Sequence, residues 1–269
     1  MSAAWPWSSP ASGCSAISGE KTLAGRAALL APSLRVFKPA GDGPHPVVLL
    51  LHGCGGVQPF LQTYIDAALA AGVAAVIIDS YTPRRISRRM ASLTICTGTR
   101  FRGAERAGDL FAVLHWLKNE PWADATRCAA VGWSHGSWTI MDALALGTAV
   151  PRATGLPDAH MSQLAALKTV VLIYPYSAFP SLTSSRGWSG ASPAVWSILG
   201  GKDAVVGERF PRRAFERLKR DGLEVDTLYF PDATHAFEDD KANDPRSRYR
   251  PDLADQARAY FAKGLKALH

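Results

Sequence analysis

The segment Gly132-Trp133-Ser134-His135-Gly136 has the spacing that presents a serine hydroxyl for attack on an acyl carbon. It follows the apolar run Cys128-Ala129-Ala130-Val131 and opens a helical pattern reaching about Leu146. A serine on such a strand-to-helix turn projects its Oγ from the sheet, and the flanking glycines leave room where strand and helix backbones meet. A hydroxyl is a weak nucleophile until an imidazole takes its proton and a carboxylate orients that imidazole. His235, in Phe230-Pro-Asp-Ala-Thr-His235-Ala-Phe237, is the only histidine between His160 and His269. Asp203, in Gly200-Gly-Lys-Asp203, is the acid expected to face it, because residues 174–202 contain no Asp or Glu. Asp79 and Asp232 are rivals by position: one ends a strand upstream of the serine, the other stands three residues before His235. The plain structural roles of a turn serine, a loop histidine and a turn-capping aspartate remain open.

Acyl transfer also needs two N–H donors aimed at the developing oxyanion. The backbone N–H of His135 is one candidate. The other is the main chain of Cys54 in His52-Gly53-Cys54-Gly55-Gly56, where the glycines allow a sharp turn and close backbone approach. The Cys54 thiol is an alternative nucleophile, but no strand–turn–helix pattern presents it. Tyr81, Arg102, Tyr176 and Trp188 fall on loops of the same side and are candidates for substrate contact.

These residues need a scaffold that brings strand ends together. Buried strands are predicted over 46–51, 73–78, 128–131, 170–173, 194–199 and 225–230, from short apolar runs bounded by turn signals. Between them lie helical stripes: Leu61, Tyr64, Ile65 and Ala68; Leu110, Val113, Leu114 and Leu117; then 210–219 and a last helix through Leu253, Ala257, Phe261 and Leu265. Strands alternating with helices imply an α/β fold with a mostly parallel twisted sheet and helices on both faces. Ligands of such sheets bind at the carboxyl ends of the strands, where every residue named above falls. Residues 80–103 have no clear period and read as a long loop, and 147–168 as an irregular segment able to form a small cap.

The 269 residues, 47% hydrophobic and 20% charged, fit a single catalytic domain over 23–269 behind a loose arm over 1–22. No apolar stretch is long enough to cross a membrane. The start lacks a basic n-region with an apolar core of about 7–15 residues, so a cytoplasmic protein is expected. Four cysteines do not make a disulfide scaffold, although Cys54 and Cys96 could approach each other. The net charge of +7 and the cluster Arg84, Arg85, Arg88 and Arg89 raise the question of nucleic acid. No zinc-finger spacing or aromatic RNA-binding run accompanies them, so neither a nucleic-acid nor a membrane partner is expected. The cluster follows the Asp79 strand end and could instead attract an acidic substrate.

Taken together, His52-Gly-Cys-Gly-Gly56, Gly132-Trp-Ser-His-Gly136, Gly201-Lys-Asp203 and Ala233-Thr-His-Ala-Phe237 resemble the dienelactone hydrolase family of α/β-hydrolases, from about residue 33 to the C-terminus. The resemblance implies an α/β-hydrolase fold and hydrolysis of small-molecule carboxylic esters, lactones included, through an acyl-enzyme. It implies no metal and no organic cofactor. True dienelactone hydrolases carry cysteine where this chain has Ser134, which implies a serine-type esterase of the family. A peptidase of the prolyl-oligopeptidase kind shares the same three residue types, and a non-enzymatic binding module using the basic loop is the remaining alternative.

Overall fold

The computed structural model describes residues 19–95, 98–242 and 244–269. The expected arm falls mostly outside them; residues 19–21 form a short 3-10 turn, and Thr22 caps the first helix through its Oγ1. Seven strands form one sheet: β1 (Arg35–Phe37), β2 (His45–Leu51), β3 (Ala74–Ile78), β4 (Ala123–Trp133), β5 (Leu167–Ile173), β6 (Ala194–Gly200) and β7 (Val225–Phe230). Their order is β1-β3-β2-β4-β5-β6-β7, with β1 antiparallel to β3 and every other pairing parallel. The helices are α1 (Leu23–Leu30), α2 (Leu61–Ala70), α3 (Arg88–Thr94), α4 (Gly103–Leu117), α5 (His135–Ala145), α6 (Val150–Thr154), α7 (Arg209–Arg220) and α8 (Pro251–Leu265).

A strand without polar alternation must bury both faces, and β2 does so. Val47, Leu49 and Leu51 enter the core shared with α1, α4, α5 and α7. Val48 and Leu50 enter the opposite core, beneath α2 and α8. The chain runs outward from β2 to β3 and then crosses back to β4, so β2 and β4 are neighbours whose following loops diverge. That switch point leaves a crevice at the strand ends.

Three expectations change. The 80–103 segment is not one loop: it contains α3, with Ser87 accepting from the Met90 N–H as its N-cap, and Gly103 already opens α4. The 147–168 segment is not a cap. It carries α6, and Val150, Leu156, Ala159 and Leu164 are buried in the core with α4, because the segment leads into the amino end of β5, away from the carboxyl ends of the strands. Finally, β1 had no sequence signal, since only three residues pair and their burial is slight.

Candidate active site

Ser134 holds φ +52° and ψ −108° between β4 and α5, a strained conformation for a side-chain-bearing residue. Its N–H donates to Ile173 O at 2.9 Å, and Trp138 N–H donates back to Ser134 O at 3.0 Å, so the turn is held from both sides. The flanking glycines are sterically required. A Cβ on Gly136 would lie 1.9 Å from Leu51 O, and one on Gly132 would lie 2.4 Å from the backbone of Gly136 and Ser137. The Oγ thus stands on a crest that only this glycine pattern permits. Ser134 is 8% exposed and lines two cavities.

His235 follows β7, and its Nδ1–H donates to Asp203 Oδ2 at 2.8 Å. Asp203 follows β6 and accepts the N–H groups of Val205 and Val206 on Oδ1 at 2.9 and 3.0 Å. Burial pushes the Asp203 carboxyl up, but the hydrogen bond and charge of His235 and these two N–H groups outweigh it and hold the carboxyl below its ordinary value. His235 and Ser134 line the same cavity. The rivals are engaged elsewhere. Asp232 pairs with Lys202 Nζ at 2.6 Å on the surface, and Asp79 accepts from Tyr81 N, Thr82 N and Thr82 Oγ1.

The loop after β2 lies close over the serine: a Cβ on Gly53 would stand 3.3 Å from Trp133 O and 3.7 Å from Ser134 Cβ. Cys54 lines both cavities that meet at Ser134. Its sulfur is disulfide-bonded, which corrects the alternative of a Cys54 thiolate nucleophile. Cys96, the partner weighed from sequence, lies outside the described residues. His135 is the first residue of α5, where backbone N–H groups have no partner within the helix.

Arg106, on α4 and fully buried, ties these parts together. Its Nη1 donates to His52 O at 2.7 Å and to His135 Nδ1 at 3.1 Å, and its Nε donates to Ser80 Oγ. His135 Nε2–H in turn donates to Phe101 O at 3.0 Å. Burial and the charge of Arg106 push both His52 and His135 well below the ordinary histidine value, so both are neutral rings with fixed hydrogen bonds. Behind the serine, Glu238 accepts from Trp133 Nε1 at 2.9 Å and from Tyr64 OH at 3.3 Å. Tyr174, with φ +35°, packs its ring 4.5 Å from that of His235.

Of the four residues named for substrate contact, Tyr176 alone lines a cavity at Ser134. The other three are corrected. Tyr81 is buried edge-on against His52 at 4.5 Å, beneath the loop rather than in the cavity. Arg102 precedes α4 and donates to Gly98 O at the surface, while Trp188 packs against the core and reaches Thr183 Oγ1. The arginine cluster also divides. Arg84 turns inward, its Nη1 and Nη2 both donating to Asp109, whereas Arg88 reaches the larger cavity and donates to Gln58 Oε1. Arg106, Tyr174 and Glu238 escaped the sequence reading. The one available signal was charge: Arg106 and Asp109 are three apart on the α4 face that also buries Ala107 and Leu110.

The arrangement can do nucleophilic acyl chemistry. The model of the dienelactone hydrolase family matches residues 33–266. No curated protein sequence matches the chain. Among solved structures it is similar to a dienelactone hydrolase-like promiscuous phosphotriesterase from metagenomic libraries, with a TM-score of 0.62 and 16% identity over 87% of this chain and 98% of that one. It is also similar to esterase 2 of Thermogutta terrifontis, with a TM-score of 0.61 and 17% identity over 86% of each chain.

Proposed function

Because the chain belongs to the dienelactone hydrolase family and is therefore a carboxylic ester hydrolase, we propose that it works as a serine esterase through an acyl-enzyme on Ser134. In this reading His235 Nε2 takes the Ser134 proton as Oγ attacks the acyl carbon. Asp203 holds His235 by the Nδ1–H bond, which fixes the tautomer and favours the imidazolium that forms. The N–H groups of His135 and Cys54 receive the oxyanion. His235 then gives its proton to the departing alcohol, and a water activated by the same ring releases the acid. No metal or organic cofactor takes part. Lactones, as cyclic esters, fall within the same chemistry.

The observation that carries the reading is the 2.8 Å bond from His235 to Asp203, on a histidine that shares a cavity with a strained serine. A fluorophosphonate probe tests it, since the Thermogutta terrifontis esterase is itself phosphorylated by paraoxon. The probe is expected to label Ser134, and Ser134→Ala is expected to lose both labelling and turnover of p-nitrophenyl acetate. Full turnover in that variant would overturn the assignment.

The substrate is then a small-molecule ester, with neither nucleic acid nor membrane as partner. No helix among the described residues is long and apolar enough to cross a membrane. A cytoplasmic location is the expectation this reading carries, and the disulfide at Cys54 is the observation that argues against a reducing compartment. Thiol titration of the native protein without reductant distinguishes the two settings.

A further inference from the structure

Two cavities of very different size and chemistry meet at Ser134. The larger, about 320 Å³, is lined by His235, Tyr174, Trp133 and the 52–58 loop, and its rim carries Arg88, Asp239, Lys241 and Asp244. The smaller, about 70 Å³, lies between Cys54, Ile95, Gly98, His135, Trp138, Tyr176, Val205 and Val206, and His235 does not line it.

The direction of the ester across Ser134 follows from proton transfer. The departing alcohol oxygen must take its proton from His235, so the alcohol leaves on the side that His235 lines. The acyl chain then extends the other way, into the smaller cavity. Since about 10–15 Å³ is the least space that admits one water and a water in the liquid takes about 30 Å³, a slot of about 70 Å³ has room for only a few heavy atoms.

Its walls are pinned. Trp138 donates through Nε1 to Asp142 at 2.7 Å. Its indole also abuts α4 so closely that a Cβ on Gly103 would lie 2.5 Å from it. Tyr176 stacks 5.0 Å from Trp138 and donates its OH to Phe179 O at 2.6 Å. Val205 and Val206 are held by Asp203 itself. On the Trp138, Tyr176 and Val205–Val206 sides the slot widens for a long chain only by breaking these hydrogen bonds. The larger cavity, by contrast, presents mostly apolar lining, with Phe60, Trp133 and Tyr174 among its residues, which suits a bulky aromatic alcohol better than a hydroxylated one.

We propose that the enzyme is selective for esters joining a short acyl group, of about two to four carbons, to a bulky aromatic alcohol, with the Trp138–Tyr176 slot as the acyl filter. This rests on the serine esterase reading above.

The test is a series of p-nitrophenyl esters from acetate to decanoate, run on the full-length enzyme, Tyr176→Ala and Val206→Ala, with fluorophosphonate labelling in parallel. Acetate and butyrate are expected within about tenfold of each other in kcat/KM, and octanoate lower than butyrate by about 10⁴-fold, since each of its four misfit methylenes costs a factor of about ten upward. Either variant is expected to restore octanoate by about tenfold relative to acetate. With acetyl held constant, benzyl acetate is expected to exceed hexyl acetate. Octanoate cleaved as fast as butyrate, or an octanoate-to-acetate ratio unmoved in both variants, would overturn the acyl filter. A preference for hexyl acetate would overturn the alcohol half. Failure of the esterase reading is distinct: no ester is cleaved and the probe leaves Ser134 unlabelled.

Discussion

Glu238→Gln should change how stability depends on pH, and by an amount that follows from where the carboxyl sits. Glu238 is fully buried behind the nucleophile turn, and burial pushes its carboxyl from 4.5 up to about 7 against the opposing hydrogen bonds of Trp133, Tyr64 and Tyr174. Its Oε2 has no hydrogen-bond partner among the described residues, a place where a proton is easily kept. The folded protein therefore holds a proton that the unfolded chain has already released between those two pH values. The stabilisation is complete below about pH 4.5, declines as pH rises, and levels off above about 7. At about 1.4 kcal/mol per pH unit, the loss is about 3 kcal/mol. Glutamine is neutral at every pH and keeps the Oε1 acceptor for Trp133 and Tyr64. Urea unfolding of both proteins at pH 4.5, 6, 7 and 8 gives the comparison. The variant should gain about 3 kcal/mol on the wild type across that range, whatever constant offset the substitution adds. Asp142, whose buried carboxyl is also raised to about 7, contributes equally to both proteins and cancels. A difference that stays flat with pH would show that Glu238 is ionised throughout, and the account of its burial would fail.

Three further outcomes are expected. Gly136→Ala, whose new Cβ would meet Leu51 O at 1.9 Å, should yield little folded protein by circular dichroism, while Gly155→Ala, with nothing within 4 Å but φ +70°, should cost only about 1 kcal/mol in urea unfolding; equal stability of the two would contradict the packing argument. Asp203→Asn should lower kcat on p-nitrophenyl acetate by about 10⁴ with little change in KM, because His235 loses the carboxylate that fixes its tautomer, and a loss below tenfold would show that another acid serves. Arg106→Leu should destabilise the fold by about 2–6 kcal/mol, leaving His52 O and His135 Nδ1 without their buried donor at about 1–3 kcal/mol each. It should also depress kcat more than KM by loosening both oxyanion segments, and unchanged kcat in the folded fraction would limit Arg106 to a structural role.

Much of this site was legible because its signals are local. The apolar run into Gly132-Trp-Ser-His-Gly136 specifies a buried strand and a crowded turn within a few residues, and the glycine clearances seen here are those the pattern requires. The meeting of Ser134, Asp203 and His235 follows from strands β4, β6 and β7 each ending in a loop on the same side of a parallel sheet. Residues whose meaning depends on distant partners could not be read in this way. Arg106 reaches His52 across 54 positions, and Glu238 reaches Trp133 across 105. Both are charged groups that a linear reading assigns to solvent, since only a completed fold shows which buried acceptors and donors they meet. The same holds for Arg84, which looked like part of a surface cluster until Asp109 captured it. It holds also for 147–168, where irregular sequence alone could not say at which end of the strands the segment would pack. Sequence by itself determined which strand ends carry Ser134, Asp203 and His235, because strand and turn formation are short-range. The tertiary structure decided which charges are buried, which loops border the serine and how large each cavity beside it is, because those depend on contacts between segments far apart in the chain.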